Sequence, residues 1–380
     1  MKKGWEYKTL KEACIQLFAG GDVPKPYISK TKTKEFSVPI YSNGVENEGL
    51  YGYTNSAKIK EQAVTISARG TIGATFRRYE PFFPAIRLIT AVPNKEILSI
   101  DYLFYALKIL TIGNSGTSIP QLTIPNIKNI SIPIPPLSEQ KEIVEYLDSS
   151  FAKIDKLKEN AAKNLEEAKA LFQSALKNAL EPKEGWEEKT LGELGSLKNG
   201  MNFTKNESGT ELHILGVGDF GNLFSISNTE NLPIISLNEI PSDDYMLENE
   251  DIVFVRSNGN KNLVGRCLLV YPGNIKTSFS GFCIRFRKNS DKVDAKYLAY
   301  FLKAPNTRKK IAGNGANISN LNQKVLQSLA IPFPSLPEQQ SIVFLLDSLS
   351  EKVNTLQQNY SRICDECDAL KQAILRQVFE

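Results

Sequence analysis

Two short loop sequences carry side chains suited to hydrogen bonding with the edges of DNA bases. Ser67-Ala68-Arg69-Gly70-Thr71-Ile72-Gly73 follows one predicted strand, and Val255-Arg256-Ser257-Asn258-Gly259-Asn260-Lys261 follows another. Arg can donate two hydrogen bonds to guanine, and Asn or Gln can pair with adenine. Glycines in such loops allow close approach of the backbone to a ligand. Each single residue is equally compatible with an ordinary surface turn.

A second pair of polar loops extends this hypothesis. Gly113-Asn114-Ser115-Gly116-Thr117-Ser118 and Gly313-Asn314-Gly315-Ala316-Asn317 are rich in glycine and in groups that suit phosphates. The predicted DNA-binding residues are Lys32, Lys34, Asn43, Arg69, Gly70, Thr71, Arg77, Arg78, Thr117, Ser118, Gln121, Lys198, Asn202, Arg256, Ser257, Asn258, Asn260, Lys261, Arg266, Asn314, Asn317 and Asn320.

Positive charge is concentrated in the regions that hold these loops. The 380-residue chain has a net charge of only +4, but residues 1–136 hold 17 Lys or Arg and 10 Asp or Glu. Residues 182–335 hold 18 and 16, and the segments 137–181 and 336–380 are acidic. A phosphate-bearing partner would therefore be held by the first region above all. Charge alone leaves DNA, RNA and acidic proteins open.

Patterns for catalysis or cofactor binding are weak. His213 is the only histidine, and it lies in a predicted strand, which favours a structural role over a Ser–His or Cys–His catalytic arrangement. Cys364 and Cys367 lack the further ligands of a structural zinc site. Residues 216–221 match G-x-G-x-x-G, but no helical pattern follows, as a nucleotide site would require. We expect no catalytic residue, metal or cofactor in this chain.

The elements that must position the loops occur twice. Residues 4–12 recur as 185–193, an offset of 181, and residues 132–140 recur as 331–339, an offset of 199. The second offset then persists without a gap as far as Ala170-Leu171 and Ala369-Leu370. The sequence therefore predicts a tandem duplication of a variable domain followed by a helix of constant length.

Each copy ends in a long predicted helix. A proline-rich stretch at 133–136 marks the first boundary, and Ser335-x-x-Glu338 fits a capping box at the second. We predict helices from about Leu137 to Leu180 and from about Leu336 to Val378. Apolar residues at alternating spacings of three and four are typical of a coiled coil. The predicted packing and partner-contact residues are Leu147, Ile154, Leu157, Leu171, Leu346, Val353, Leu356, Tyr360, Ile363 and Leu370.

The predicted fold class is α+β. Two mixed, mostly β domains are expected, separated by two long antiparallel coiled-coil helices in a pseudo-twofold tandem duplication. The predicted strands are 63–68, 85–92, 252–255, 266–271 and 282–286, short helices are expected at 101–110 and 295–303, and hairpin turns at Asn43-Gly44, Asn199-Gly200 and Asn258-Gly259. A polar start and the lack of long apolar runs favour a cytoplasmic location.

The doubled Ile-Pro-x-Pro-x-Leu-x-Glu-Gln motif at 132–140 and 331–339, with a long helix after each copy, resembles the specificity subunit of type I restriction–modification systems. The likeness covers the whole chain. It implies target-recognition domains at 1–136 and 182–335, each reading half of a split, asymmetric DNA site. It also implies spacer helices at 137–181 and 336–380 that set the unread gap.

The same resemblance implies the partners. They would be double-stranded DNA, two adenine methyltransferase subunits and motor-nuclease restriction subunits, and the methyl donor, ATP and magnesium would bind to those partner proteins. The near balance of charge in the second domain departs from this pattern and predicts fewer phosphate contacts there. Two alternatives remain: an enzyme with its own active centre, and a coiled-coil scaffold that never touches DNA.

Overall fold

The computed structural model describes residues 4–24, 28–112, 122–203, 208–311 and 320–379. The chain forms two compact units. Unit 1 comprises residues 1–163 and 359–380, and unit 2 comprises residues 164–358. Within the described ranges, no helix is both long and apolar enough to cross a membrane.

Unit 1 is built on a four-stranded antiparallel sheet, a three-stranded sheet and a two-stranded ribbon. The strands are β1 (Glu6–Thr9), β2 (Cys14–Ala19), β3 (Val38–Tyr41), β4 (Leu50–Thr54), β5 (Ala63–Ile66), β6 (Thr75–Arg78), β7 (Phe83–Pro84), β8 (Ile89–Pro93) and β9 (Ser131–Ile134). The helices are α1 (Leu10–Ala13), α2 (Ile100–Ile112), α3 (Ile124–Ile127) and the long α4 (Leu137–Leu180), whose residues from 164 onward belong to unit 2. The strand orders are β2-β8-β5-β6, β4-β3-β7 and β1-β9.

Unit 2 has a five-stranded sheet, a three-stranded sheet and a ribbon. The strands are β10 (Glu187–Thr190), β11 (Gly195–Asn199), β12 (Thr210–Leu215), β13 (Ser225–Ser227), β14 (Ile234–Leu237), β15 (Asp251–Val255), β16 (Cys267–Tyr271), β17 (Thr277–Phe279), β18 (Cys283–Lys288) and β19 (Ala330–Phe333). The helices are α5 (Leu191–Leu194), α6 (Ala295–Lys303), α7 (Pro305–Ile311), α8 (Gln323–Gln327) and the long α9 (Leu336–Phe379), whose residues from 359 onward belong to unit 1. The strand orders are β11-β18-β15-β16-β13, β14-β12-β17 and β10-β19.

The two units repeat one topology. In each three-stranded sheet the central strand pairs antiparallel with one neighbour and parallel with the other, as β3 does with β4 and β7, and β12 does with β14 and β17. The larger sheets match strand for strand, except that β13 is added at the edge in unit 2. The predicted tandem duplication and α+β class are therefore confirmed.

The predicted local elements are mostly confirmed, with one turn misplaced. Asn43-Gly44 and Asn258-Gly259 both lie in connections between antiparallel neighbours, β3–β4 and β15–β16. The hairpin predicted at Asn199-Gly200 is wrong. Strand β11 pairs with β18 instead of with the next strand in sequence, so the chain leaves the large sheet at this point.

Gln140 in the first copy of the repeated motif joins helix α4 to the domain before it. Its side chain is fully buried. Nε2 donates to the carbonyl oxygens of Ile97 (2.7 Å) and Pro135 (2.8 Å), and Oε1 accepts from the backbone N–H of Ser99 (2.9 Å). All three partners are backbone atoms, so the joint does not depend on which side chains the variable domain carries.

Gln339 makes the same joint in unit 2. Its buried amide donates to the carbonyl oxygens of Lys292 (3.1 Å) and Pro334 (2.9 Å) and accepts from the N–H of Asp294 (2.9 Å). The glutamate before each glutamine also has an equivalent role. Glu139 accepts from Trp5 Nε1 (2.9 Å), and Glu338 accepts from Trp186 Nε1 (3.0 Å). The tryptophan at the start of each domain and the Glu-Gln motif at its end therefore act together to attach the long helix to the domain.

We predict that Gln140→Leu lowers the stability of unit 1 by on the order of 3 kcal/mol, because one buried and two half-buried backbone groups lose their partner. The chain has two tryptophans, Trp5 in unit 1 and Trp186 in unit 2. Urea unfolding followed by fluorescence in a Trp186→Phe background therefore reports on unit 1. Gln339→Leu makes the same chemical change in the other unit and should move this transition much less. Equal shifts from both variants would contradict the local role of each glutamine.

The long helices begin and end close to the predicted residues, but their packing stripe differs from the prediction. Leu147, Ile154 and Leu346 are buried as expected, and Val353, Tyr360 and Ile363 are half-buried. Four predicted seam leucines are exposed instead of buried: Leu157 (57%), Leu171 (70%), Leu356 (37%) and Leu370 (48%). An α-helix turns once per 3.6 residues, so a strict heptad stripe drifts by about 20° per repeat away from a straight contact line.

The segments of the two helices that belong to unit 1 run antiparallel. Asp155 pairs with Lys371, and Lys158 pairs with Asp368 at 2.9 Å, so residue numbers rise along α4 as they fall along α9. In unit 2, Leu176 and Leu180 of α4 share a hydrophobic cluster with Ile342 and Leu346 of α9.

Candidate nucleic-acid interface

In unit 1 the loop between β5 and β6 holds the predicted Arg69. Backbone hydrogen bonds close its base: Ser67 N–H donates to Ala74 O (2.8 Å), and Gly73 N–H donates to Ser67 O (2.9 Å). The segment after the second glycine-rich sequence returns to this loop, where Leu122 N–H donates to Ala68 O (2.9 Å). Arg69, at the exposed tip, is therefore fixed by its backbone on both sides.

The loop between β15 and β16 in unit 2 has the same frame. Val255 N–H donates to Arg266 O (2.8 Å), Gly265 N–H donates to Val255 O (2.8 Å), and Leu321 N–H donates to Arg256 O (2.8 Å). By these bonds Arg256 corresponds to Ala68 of unit 1, and Ser257 corresponds to Arg69. The second loop is four residues longer. One backbone frame thus carries two different sets of side chains.

A left-handed turn beside the first loop presents an arginine that the sequence patterns missed. Ile86 and Arg87 have φ of 53° and 61°, and Leu88 N–H donates to Ala85 O (3.0 Å) across the turn. Ile86 is β-branched and strained in this conformation, and strain of this kind often accompanies function. The turn has no Asn-Gly sequence to mark it. The turn and the loop line one cleft, with Arg87 and the exposed Arg69 on its wall.

The equivalent turn in unit 2 exposes an aromatic ring. Cys283 N–H donates to Ser280 O (2.8 Å) across Gly281 and Phe282, and Phe282 is 61% exposed. Arg256 is held against this turn, since its backbone N–H donates to Phe282 O (2.8 Å) and its Nη1 donates to Gly281 O (3.2 Å). Exposed aromatic rings can stack on bases, and Phe282 was also missed from sequence.

Several predicted asparagines support the loops from within. Asn43 donates to Ile86 O (2.6 Å) and accepts from Ala68 N–H (2.7 Å), so it ties the first loop to the left-handed turn. In unit 2, Asn258 accepts from Asn260 N–H (2.7 Å), and Asn260 in turn accepts from a backbone N–H two residues later (3.1 Å). These side-chain oxygens shape the loop backbone.

The side chains of Arg77 and Arg78 bind acidic and aromatic partners within unit 1. Arg77 pairs with Asp101 (2.9 Å) and Asp148 (3.2 Å), and Arg78, only 3% exposed, donates to Glu48 and lies 3.5 Å from the ring centre of Tyr41. Burial lowers the pKa of Arg78. Both guanidinium groups have internal acceptors and little access to solvent, so we do not carry them forward as DNA contacts.

The other candidates fall into three groups. Lys32, Lys34, Gly70, Thr71 and Lys261 are exposed. Lys198 pairs with Asp244 (3.1 Å), Asn202 lies against Gly281, Arg266 donates to Gly221 O (3.2 Å), and Ser257 forms a β-bridge with Asn320. Thr117, Ser118, Gln121, Asn314 and Asn317 lie outside the described residues.

The near balance of charge in the second domain conceals two unlike halves. Residues 256–335 hold 14 Lys or Arg and 2 Asp or Glu, whereas residues 182–255 hold 4 and 14. The second candidate loop opens the basic half. An average over the domain therefore understated the positive charge around this loop.

The residues considered above for catalysis, nucleotide binding and metal binding each have a structural role or setting in the fold. His213 Nδ1 lies 3.1 Å from Leu232 O on strand β12. The G-x-G-x-x-G segment contains a 3-10 turn at Val217–Asp219 and leads to strand β13 instead of a helix. Cys364 and Cys367 lie within helix α9. No cluster of three or more possible metal ligands occurs among the residues that the structure describes.

Comparison with known proteins decides the family. The family model for the type I restriction modification DNA specificity domain matches residues 2–167 and again residues 183–363. The chain belongs to this specificity family. The doubled match agrees with the two topologically equivalent units, and membership confirms the resemblance that the repeated motif indicated.

Individual relatives carry matching names. The chain is 29% identical over 354 residues to the type I restriction enzyme StySPI specificity subunit of Salmonella potsdam, covering 85% of this chain and 75% of that one. It is 25% identical over 355 residues to the EcoKI specificity subunit of Escherichia coli K12, with the same coverage. Two Mycoplasma pneumoniae specificity-subunit sequences, 35% and 37% identical, match over only 50% and 41% of their own lengths.

Solved structures share the fold. One, described as showing complex assembly and conformational transition of a type I R-M system, has a TM-score of 0.76 at 19% identity and covers 99% of this chain and 98% of that one. The HsdS subunit of Thermoanaerobacter tengcongensis has a TM-score of 0.63 at 20% identity and covers 100% and 97%. These likenesses establish the architecture of the specificity family for this chain.

Proposed function

We propose that this chain reads a bipartite, asymmetric DNA site, with residues 1–136 recognising one half and residues 182–335 the other. The observation that carries the proposal is the duplicated loop frame, in which identical backbone bonds present Arg69 in one unit and Arg256 with Ser257 in the other. A common scaffold with different side chains is what two readers of different sequences require. Base-edge contacts would supply the specificity, at about 1–3 kcal/mol for each bidentate pair.

The long helices serve in this proposal as the spacer and as the docking surface for partner subunits. Both are 44 residues long although the domains before them differ in length. They also expose large apolar side chains, among them Tyr146 (52%) on α4 and Phe344 (79%) on α9. Exposed apolar groups of this size suit protein contacts. An adenine methyltransferase and motor-nuclease subunits would occupy these surfaces and supply the chemistry.

The experiment that tests DNA reading targets the cleft of unit 1. We predict that Arg69→Gln combined with Arg87→Gln weakens binding of the chain with its methyltransferase to its target duplex by about tenfold or more, because a lost base contact costs about 1–3 kcal/mol. Fluorescence anisotropy at fixed salt measures it. Lys153→Gln, on the exposed side of α4, removes a charge without touching the cleft and should have little effect. Unchanged affinity in the double variant would place DNA elsewhere.

A further inference from the structure

Unit 2 contains a small cavity whose charged side chains are all cations. It has a volume of about 220 Å³ and lies between the loop 220–223, the start of β16 and helices α6 and α7. Arg266, Lys303 and Arg308 line it. Lys303 and Arg308 were not among the residues predicted from sequence, because neither lies in a glycine-rich loop.

Within the described residues, the hydrogen-bond acceptors of the three cations are backbone carbonyl oxygens. Arg266 donates to Gly221 O (3.2 Å), Lys303 donates to Leu223 O (2.9 Å), and Arg308 Nη2 donates to Val264 O (3.2 Å). Among the described residues, no carboxylate forms an ion pair with any of them. The adjoining segment 312–319 contains no Asp or Glu in its sequence. No carboxylate therefore balances the charge of the cluster within the part of the chain that the structure describes.

Arg308 has a buried hydrogen-bond donor that this arrangement leaves without an acceptor among the described residues. Its Nη1 atom is buried and has no hydrogen-bond acceptor within the described part of the chain. Burial, with a smaller effect of the neighbouring cations, lowers the pKa of both Lys303 and Arg308. A buried donor without a partner is destabilising, and an anion in the cavity would relieve both the lost hydrogen bond and the repulsion.

The corresponding place in unit 1 does not hold the same cluster, because the loop frame puts Ala74 at the position of Arg266. Tyr102 and Tyr297 bond to equivalent proline carbonyls, which aligns α2 with α6 and places Lys108 at the position of Lys303. The nearby Arg77 of unit 1 is paired with two carboxylates. The uncompensated cluster is therefore a property of unit 2 and not a by-product of the shared fold.

We propose that the cavity formed by Arg266, Lys303 and Arg308 binds a phosphate group, and that in the working complex this is a phosphate of the DNA backbone beside the half-site read by unit 2. Arg266 ends the candidate loop, so the cavity adjoins that loop, and Arg308 lies on helix α7. Its volume of about 220 Å³ leaves room for a phosphate group. The assignment to DNA rests on the proposed function, whereas phosphate binding itself does not.

The test compares two double variants of the full chain. Arg266→Gln with Lys303→Gln removes two cations from the cavity and leaves the buried Arg308 in place. Lys276→Gln with Lys309→Gln removes the same charge from exposed positions of unit 2. Binding of duplex DNA by the chain with its methyltransferase is measured over a range of salt, and the melting temperature of the chain alone is measured with inorganic phosphate against chloride at equal ionic strength.

If the cavity binds a DNA phosphate, the cavity variant should bind cognate and non-cognate duplexes about tenfold more weakly. The slope of log affinity against log salt should fall by about one in the cavity variant and remain unchanged in the control. A free phosphate predicts unchanged DNA binding, with a melting temperature that inorganic phosphate raises in the wild type and control but not in the cavity variant. Either result supports a phosphate site.

Two results would refute the phosphate site, and a third would refute the proposed function alone. If the cavity variant behaves as the control in both measurements, the phosphate site is refuted even though the wild type still reads DNA. If the variant loses only its methyltransferase, the cavity holds a carboxylate of that protein and the proposal is also refuted. If the wild type binds no DNA, the proposed function fails, and the phosphate measurement still decides the cavity.

Discussion

Exchange of residues 1–136 for the matching domain of another family member will change one half of the methylated DNA site and leave the other half unaltered. The structure explains why such an exchange should fold. Strands β1 and β9 close the domain as a ribbon just before α4, and Gln140 fastens α4 through the backbone atoms of Ile97, Pro135 and Ser99. A foreign domain supplies those atoms whatever its side chains.

The measurement is methylation mapping of a genome after expression with the methyltransferase, in a host that lacks the activity. The reciprocal exchange of residues 182–335 is the matched control and should change the other half alone. A change in both halves from either exchange would contradict the assignment of one reader to each half.

Lengthening both long helices by one heptad will widen the unread gap while both half-sites persist. Seven residues add about 10 Å to a helix at about 1.5 Å per residue, which corresponds to about three base pairs of DNA. The insertions belong after Lys163 and after Gln358, at the boundaries of the compact units, where they interrupt neither hydrophobic core. Mapping of methylated adenines reads the gap directly.

Insertion of seven residues in α4 alone is the control for this prediction. It breaks the match between two helices of equal length. We expect this variant to lose methylation instead of reading a wider gap. If the paired insertion leaves the gap unchanged, the helices do not set the spacing.

The architecture could be predicted because the sequence features that define it lie close together in the chain and occur twice. Prolines fix where β9 and β19 end and the long helices begin, and the second copy of each motif checks the first. The helix boundaries followed from these signals within a residue or two. For Gln140 and Gln339 the sequence showed only that the motif is repeated, because two of the three backbone partners of each glutamine are distant in sequence.

The candidate site was harder to predict because charge and loop position do not show what a side chain touches. Arg77 and Arg78 looked like surface cations but have Asp101, Asp148 and Glu48 as partners, none of them adjacent in sequence. Arg87 went unnoticed because its left-handed turn uses Ile86 where glycine or asparagine is usual. Such contacts are set by tertiary packing, which a single sequence does not reveal.

The central claim, that two readers on one chain specify a split site, is tested most directly by mapping methylated adenines for the unaltered chain with its methyltransferase. We expect one two-part motif with a constant unread gap, whose halves differ in sequence as the loops of the two units do. A short continuous motif, or adenine methylation without any common sequence, would contradict it.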